Sequence, residues 1–428
     1  MNFTNIKKLV GHPLISGSVV IFFGSMMASL LYYLFNLSMG RLLSAADYGI
    51  LASLMSIFGF FSIFTSCTGI VFTKFSAKFV AQDKKENIGS LIKQGTIWIM
   101  PMSILLSFFI IILSPQINAF LHISQQKSNL IYFIAAAVFF TLNASALSGI
   151  LQGLLRFKTT SILGIIGALI KISVGVGLVL LGFGLIGAVN GLLISIVVGY
   201  FLQIFVLLKF LRIPAHEQLS RQELRKDIIK YAIPVFASSV GITLFASMDI
   251  ILVKHYFPAI AAGQYAALSL MGKSIGYLTG PIMVVFFPLI AQKHEKKERL
   301  HNTLILSLLL IGMPSLLLSL VYFLYPHLIL AIFFPAKIYA SMAKYLGYFS
   351  IFVFFFSLAS VLYNFYLSIG KTYITALITF VGAILEVLYI VFFHQSIFQI
   401  IIGLIGISFL IFLSLVLYYP FAVKQTHE

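Results

Sequence analysis

A chain of 428 residues in which 61% are hydrophobic and only 9% charged, with a mean hydropathy of +1.07, has too little polar surface to coat a water-soluble globule. Lipid is the solvent for most of it, and backbone groups cannot go unpaired in hydrocarbon. The continuous apolar runs, which lack the alternation of barrel strands, therefore read as helices. A net charge of +17 would suggest nucleic acid as the partner of a soluble protein, but basic residues retained on the cytoplasmic side of a polytopic protein produce it with no acidic partner.

In chain order, the segment to Gly11 with Lys7 and Lys8 precedes the first apolar run, which reads as a retained span and not as a cleaved signal peptide. A bilayer core takes roughly 20 residues per helix. Stretches of that length recur at about 14–38, 49–72, 95–115, 129–153, 161–181 and 184–208, then at 228–252, 264–290, 303–324, 345–369, 373–393 and 397–420. This predicts an all-α polytopic membrane protein with about twelve transmembrane helices. Between the sixth and seventh lies the longest charged stretch, 209–230, read as an amphipathic cytoplasmic linker containing Pro214. It divides the chain into a lobe of residues 1–214 and a lobe of residues 215–428, each of six helices. Cys67, the single cysteine, lies in an apolar run, so no intramolecular disulfide exists and packing is its expected role.

Short matches between the halves support duplication. Gly167-Ala-Leu-Ile-Lys171-Ile aligns with Gly382-Ala-Ile-Leu-Glu386-Val, and the segment around Tyr48 resembles that around Tyr265. Six spans per half keep both repeats parallel, and transporters so built commonly carry their substrate path between the repeats. With the N-terminus inside, 21 Lys/Arg fall on the cytoplasmic side against 5 outside. That bias predicts both termini in the cytoplasm of a multi-pass protein of the inner or plasma membrane.

Among motifs, Gly182-Phe-Gly184-Leu-Ile-Gly187 spells G-x-G-x-x-G, but no strand precedes it and Leu207 and Leu208 stand where a ribose-binding acid belongs. Its expected role is a tight turn, with Gly187 and Gly191 as a small-residue packing face. The segment His294 to His301 lacks metal-ligand spacing and reads as a solvated loop. Histidines lie mainly in loops, and no catalytic set, metal site or cofactor is implied. The aromatic cluster Phe352–Phe356 is expected to pack or face lipid.

The informative residues are ionisable groups inside apolar spans: Lys171, Asp249, Lys273 and Glu386. At the centre of a span each costs about 2.5–3.5 kcal/mol, so such groups normally face a watery cavity or one another. Asp249, near the outer end of its span, is the cheapest, and an Asp249–Lys273 ion pair on consecutive helices is the structural alternative to a transport role. Asn36, Asn143 and Asn190 are expected mainly to hydrogen-bond between helices, with Asn143 a candidate polar cavity residue.

The segments Asn36-Leu-Ser-Met-Gly-Arg41-Leu-Leu-Ser-Ala-Ala-Asp47-Tyr48-Gly49, Leu151-Gln-Gly-Leu-Leu-Arg156-Phe-Lys158, Met248-Asp249 through Phe257, and Ala262-Gly263-Gln-Tyr265 carry a resemblance. The chain resembles the polysaccharide-exporter, Wzx-type flippases of the multidrug/oligosaccharidyl-lipid/polysaccharide flippase superfamily. The resemblance implies two helical lobes around an alternating-access cavity, and outward flipping of a polyprenyl-diphosphate-linked oligosaccharide for cell-surface polysaccharide such as O-antigen. Lys171, Lys273 and Arg41 are the expected diphosphate-binding cations, and Glu386, before Asp249, the expected ion-coupling residue. Expected partners are the lipid-linked glycan, membrane lipids and glycan polymerase machinery, with no nucleic acid.

Two rivals remain. A cation-coupled multidrug exporter of the same fold typically needs an acidic residue in its first span, and residues 14–38 have none. An integral membrane glycan polymerase or ligase would want a large outer loop with acid/base groups, whereas residues 325–344 offer only His327, Lys337 and Lys344.

Overall fold

A computed structural model describes residues 13–81, 87–211, 221–295 and 300–424. The first lobe contains α1 (Pro13–Leu42), α2 (Ala45–Phe60), α3 (Ser62–Ala81), α4 (Asn87–Ile112), the short α5 (Ser114–Phe120), α6 (Leu130–Gly153), α7 (Phe157–Leu178) and α8 (Gly184–Leu211). The second contains α9 (Arg221–Tyr256), α10 (Ala259–Glu295), α11 (His301–Leu324), the short α12 (Pro326–Phe333), α13 (Ala343–Ser368), α14 (Thr372–Phe392) and α15 (Ile397–Lys424). Counting α2 with α3 as one broken span and setting aside the two short helices leaves the twelve expected spans. Among the described residues, nine stretches are long and apolar enough to cross a bilayer, one of them, Phe157–Leu208, covering both α7 and α8. Helices α9 and α10 are not among the nine; they carry Asp249, Lys254 and Lys273.

The duplication is written in the packing. In the first lobe α1 packs on α7, α3 and α4 on α6, and α8 on both α6 and α7. In the second, α9 packs on α14, α10 and α11 on α13, and α15 on both α13 and α14. These are the same pairings six spans apart, as a parallel repeat of six spans requires. One pair of helix-interior prolines also corresponds, Pro101 in α4 and Pro314 in α11, a repeat signal that the short sequence matches do not include. The lobe boundary drawn at 214/215 lies outside the described residues, as does the loop 296–299; the second half of the supposed linker is helical from Arg221 onward, the start of α9.

Gly182 and Gly184 form the expected turn, with φ of 93° and 52°, after a π-turn that ends α7. A side chain on Gly191 would strike the backbone of Gly175, which is how α8 lies close to α7. Phe352 is fully buried and packs edge-on against Phe245 at 5.9 Å, so this part of the aromatic cluster is packing surface.

The lobes meet through α1, α2 and α3 on one side and α9 and α10 on the other. They are sealed at the end that carries the α1–α2 turn. There Arg41 donates to the carbonyls of Phe333 (2.8 Å) and Ile332 (2.5 Å), Tyr339 donates to Gly40 O (3.2 Å), and His255 Nδ1 lies 2.7 Å from Phe120 O. The α2 and α10 backbones touch: a methyl group on Gly49 would lie 2.8 Å from the Gly263 amide nitrogen, and one on Gly263 would overlap the Ala45 carbonyl. Gly263→Val should therefore prop this end open. Spin labels at Ser124 and Lys337, one on each lobe, should then show a longer distance than in the otherwise native protein; an unchanged distribution would refute the seal.

Candidate functional site

Interior charge is arranged differently in the two lobes. In the second lobe, Lys273 of α10 donates to both carboxylate oxygens of Asp249 (3.1 Å each) and to Ala246 O (3.1 Å), and Tyr265 donates to Asp249 Oδ2 at 3.0 Å. The expected structural pair thus exists, and Lys273 is committed to it. Asp249, expected near the outer end of its span, is fully buried within the protein: α9 runs on to Tyr256, and Tyr265 donates to the carboxylate. Lys254, expected in an outer loop, is buried in the last turn of α9, where the C-terminal dipole favours a cation. Glu386 of α14 is fully buried within electrostatic reach of Asp249 and Lys273, and among the described residues neither of its side-chain oxygens finds a hydrogen-bond partner.

The first lobe holds the opposite arrangement. Lys171 of α7 is 5% exposed, with its ammonium 4.4 Å from the Phe35 ring centroid and 5.0 Å from that of Tyr32. Two aromatic faces of α1 supply its cation–π contacts. Among the described residues this lobe contains one carboxylate, Asp47, and that is ion-paired with Lys127. Tyr33, the next residue along from Tyr32, faces the other lobe and donates to Met271 S at 3.4 Å. Lys171 therefore sits behind α1, inside its own lobe, and is not brought together with its repeat counterpart Glu386.

Arg41 is placed in the seal and Asn143 in the first-lobe interior, where it donates to Ser103 Oγ (2.9 Å) and Phe139 O (2.8 Å) and lines a cavity of about 170 Å³. The first of these bonds joins α6 to α4, the interhelical role expected of an asparagine. Sequence reasoning missed the aromatic cradle of Lys171; its signal is the spacing of Tyr32 and Phe35, three apart on one helical face. It also missed Tyr265 as the cap of Asp249, which nothing local announces.

The sequence profile described as "Polysaccharide biosynthesis protein" matches residues 14–294. The chain belongs to this family. An uncharacterized membrane protein of Methanocaldococcus jannaschii is 27% identical over 312 residues, covering 69% of this chain and 73% of its own. The polysaccharide biosynthesis protein also shares its fold with solved transporters of the MOP superfamily. A multidrug resistance MATE family transporter in its inward-facing conformation matches with TM-score 0.79 at 13% identity, over 96% of this chain and 98% of its own. An outward-facing MATE structure gives 0.69 at 15% identity, over 100% and 99%. A transporter from Pyrococcus furiosus, whose description reports a binding pocket of reverse polarity, gives 0.73 at 15% identity, over 98% of each chain.

Proposed function

We propose that this polysaccharide biosynthesis protein flips a polyprenyl-diphosphate-linked oligosaccharide from the cytoplasmic to the outer leaflet by alternating access. The observation that carries the reading is Lys171: a buried ammonium with aromatic neighbours and, among the described residues, no counter-anion is incomplete without an anionic ligand. A diphosphate supplies that anion. A lipophilic cation would need a carboxylate here, and Asp47, held by Lys127 beside the seal, is not available to serve it. The test is reconstitution in vesicles with a fluorescent lipid-linked oligosaccharide: protein-dependent loss of inner-leaflet label supports the reading, while export of a cationic dye with no lipid flipping replaces it with the drug exporter.

The bias of basic residues toward the opposite side supports an orientation with the sealed end outside. In a Cys67→Ala background, cysteines introduced at Gln82 and Gln222 should be protected from an impermeant thiol reagent added to intact cells, and one at Ser124 should react. Labelling of the first two would invert the topology.

Coupling is assigned to Glu386. The diphosphate carries about two negative charges, and each gains roughly 2.3 kcal/mol per 100 mV on leaving a negative interior, so the potential alone drives export. A proton or sodium ion on the unpartnered Glu386 would reset the empty carrier, whereas Asp249 is already held by Lys273 and Tyr265. With pH gradient and potential imposed separately, Glu386→Gln should lose dependence on the pH gradient and keep dependence on the potential. Full retention of the pH-gradient response removes Glu386 from the mechanism.

A further inference from the structure

A cavity of about 260 Å³ lies inside the first lobe between α1, α6, α7 and α8, far above the ~10–15 Å³ that one water needs. It exists because three residues withhold side chains: Gly164 and Gly167 of α7 and Gly199 of α8 line it, and a Cβ on any of them would meet nothing within 4 Å. Its polar lining is neutral. Thr160 and Ser195 donate back to their own helices, to Arg156 O and Leu192 O, and so turn hydroxyl lone pairs toward a guest. Thr141 Oγ1 and Gln203 Oε1 are buried with no partner in the protein. An unpaired buried polar atom costs about 1–3 kcal/mol, and both of these atoms belong to side chains that line the cavity, so a guest that hydrogen-bonds to those side chains recovers that cost.

Among the described residues no charged side chain lines the cavity, so it is unsuited to a cation or to a bare phosphate, either of which would go unneutralised in it. Lys171 stands just beyond. It follows Gly164 and Gly167 on the same face of α7, four residues past Gly167, about 6 Å along the helix axis, and its ammonium lies over Tyr32, which also lines the cavity. The geometry points to a subsite for an uncharged, hydroxyl-rich ring, the glycosyl unit attached directly to the diphosphate, with the diphosphate itself at Lys171. This rests on the flippase reading and adds to it a place where the first sugar is recognised. The hydroxyls and the carboxamide match the alternating donors and acceptors of a sugar.

The test measures binding of two probes to purified protein in nanodiscs: polyprenyl diphosphate bearing a single hexose, and bare polyprenyl diphosphate. The native protein should bind the glycosylated lipid at least about tenfold more tightly, the worth of one or two hydrogen bonds to otherwise unpaired groups. Thr141→Val and Gln203→Leu, which remove the unpaired atoms, and Gly167→Leu, which fills the void, should each bring that ratio toward one while leaving affinity for the bare lipid in place. Thermal unfolding checks that the variants fold, and the three act by different means, so one that fails to fold leaves two. A preference for the hexose that survives all three substitutions, or no preference in the native protein, overturns the subsite. Binding of neither lipid, with binding of a lipophilic cationic dye in their place, would instead overturn the flippase reading on which it stands.

Discussion

Lys171→Met is expected to slow flipping severely and at the same time to raise the unfolding temperature. A charge-assisted contact to phosphate is worth about 1.5–3 kcal/mol, so its loss lowers transport by roughly ten- to a hundredfold. The same substitution relieves the protein of an ammonium held in the lobe interior with no counter-anion, and a methionine of similar shape packs between Tyr32 and Phe35 without that desolvation. A gain in stability paired with a loss of function marks a residue held for its ligand. Measured as thermal unfolding in detergent alongside flipping in vesicles, a drop in both would make Lys171 a structural element and withdraw it from the substrate path. Lys171→Arg should retain much of the activity, since a guanidinium keeps the charge and stacks on the same rings.

The second large effect is in the other lobe. Removing one partner of a buried ion pair typically destabilises by about 3–5 kcal/mol, and here the two partners should differ. Lys273→Met leaves Asp249 and Glu386 as two carboxylates within electrostatic reach of each other and with no cation between them. Asp249→Asn leaves Lys273 with Glu386 still nearby. Lys273→Met should therefore be the more damaging, and Lys273→Met combined with Asp249→Asn should recover much of the loss. Thermal unfolding of the three variants checks the order; equal single losses would show that Glu386 takes no part, and losses that simply add in the double variant would show that Lys273 and Asp249 are not coupled.

Much of this architecture is legible in the sequence because lipid imposes it: each span must be a continuous apolar run, and any charge inside one stands out. That is why Lys171, Asp249, Lys273 and Glu386 can be singled out without a structure, and why consecutive helices suffice to suggest the Asp249–Lys273 pair. What lies beside each charge is a matter of lateral packing, which span hydropathy does not encode. Lys171 is legible as a buried cation, but its two ring neighbours are not, and no run or spacing marks Glu386 as the unpaired member of its cluster. Arg41 is the extreme case. Its acceptors lie 292 and 291 residues away along the chain, and they are backbone carbonyls, which no residue type advertises. The cavity beside Lys171 is equally silent, since glycines in a membrane helix ordinarily mean close packing, and only the assembled lobe shows that Gly164, Gly167 and Gly199 face empty space.

The break in the second span separates two allegiances. Helix α2 lies against α10 and α9 of the opposite lobe, whereas α3 packs foremost on α6 of its own, and the chain passes from one to the other at Phe61, where the backbone N–H turns back to Phe58 O and Gly59 O. A rigid rod tied to both lobes would have to slide past one of them whenever they rock. With an elbow at Phe61, the 16 residues of α2, roughly 24 Å of helix, can tilt with the seal while α3 stays anchored. The break at Phe61 thus puts a joint inside the span at the point where its main packing partner changes from the opposite lobe to its own.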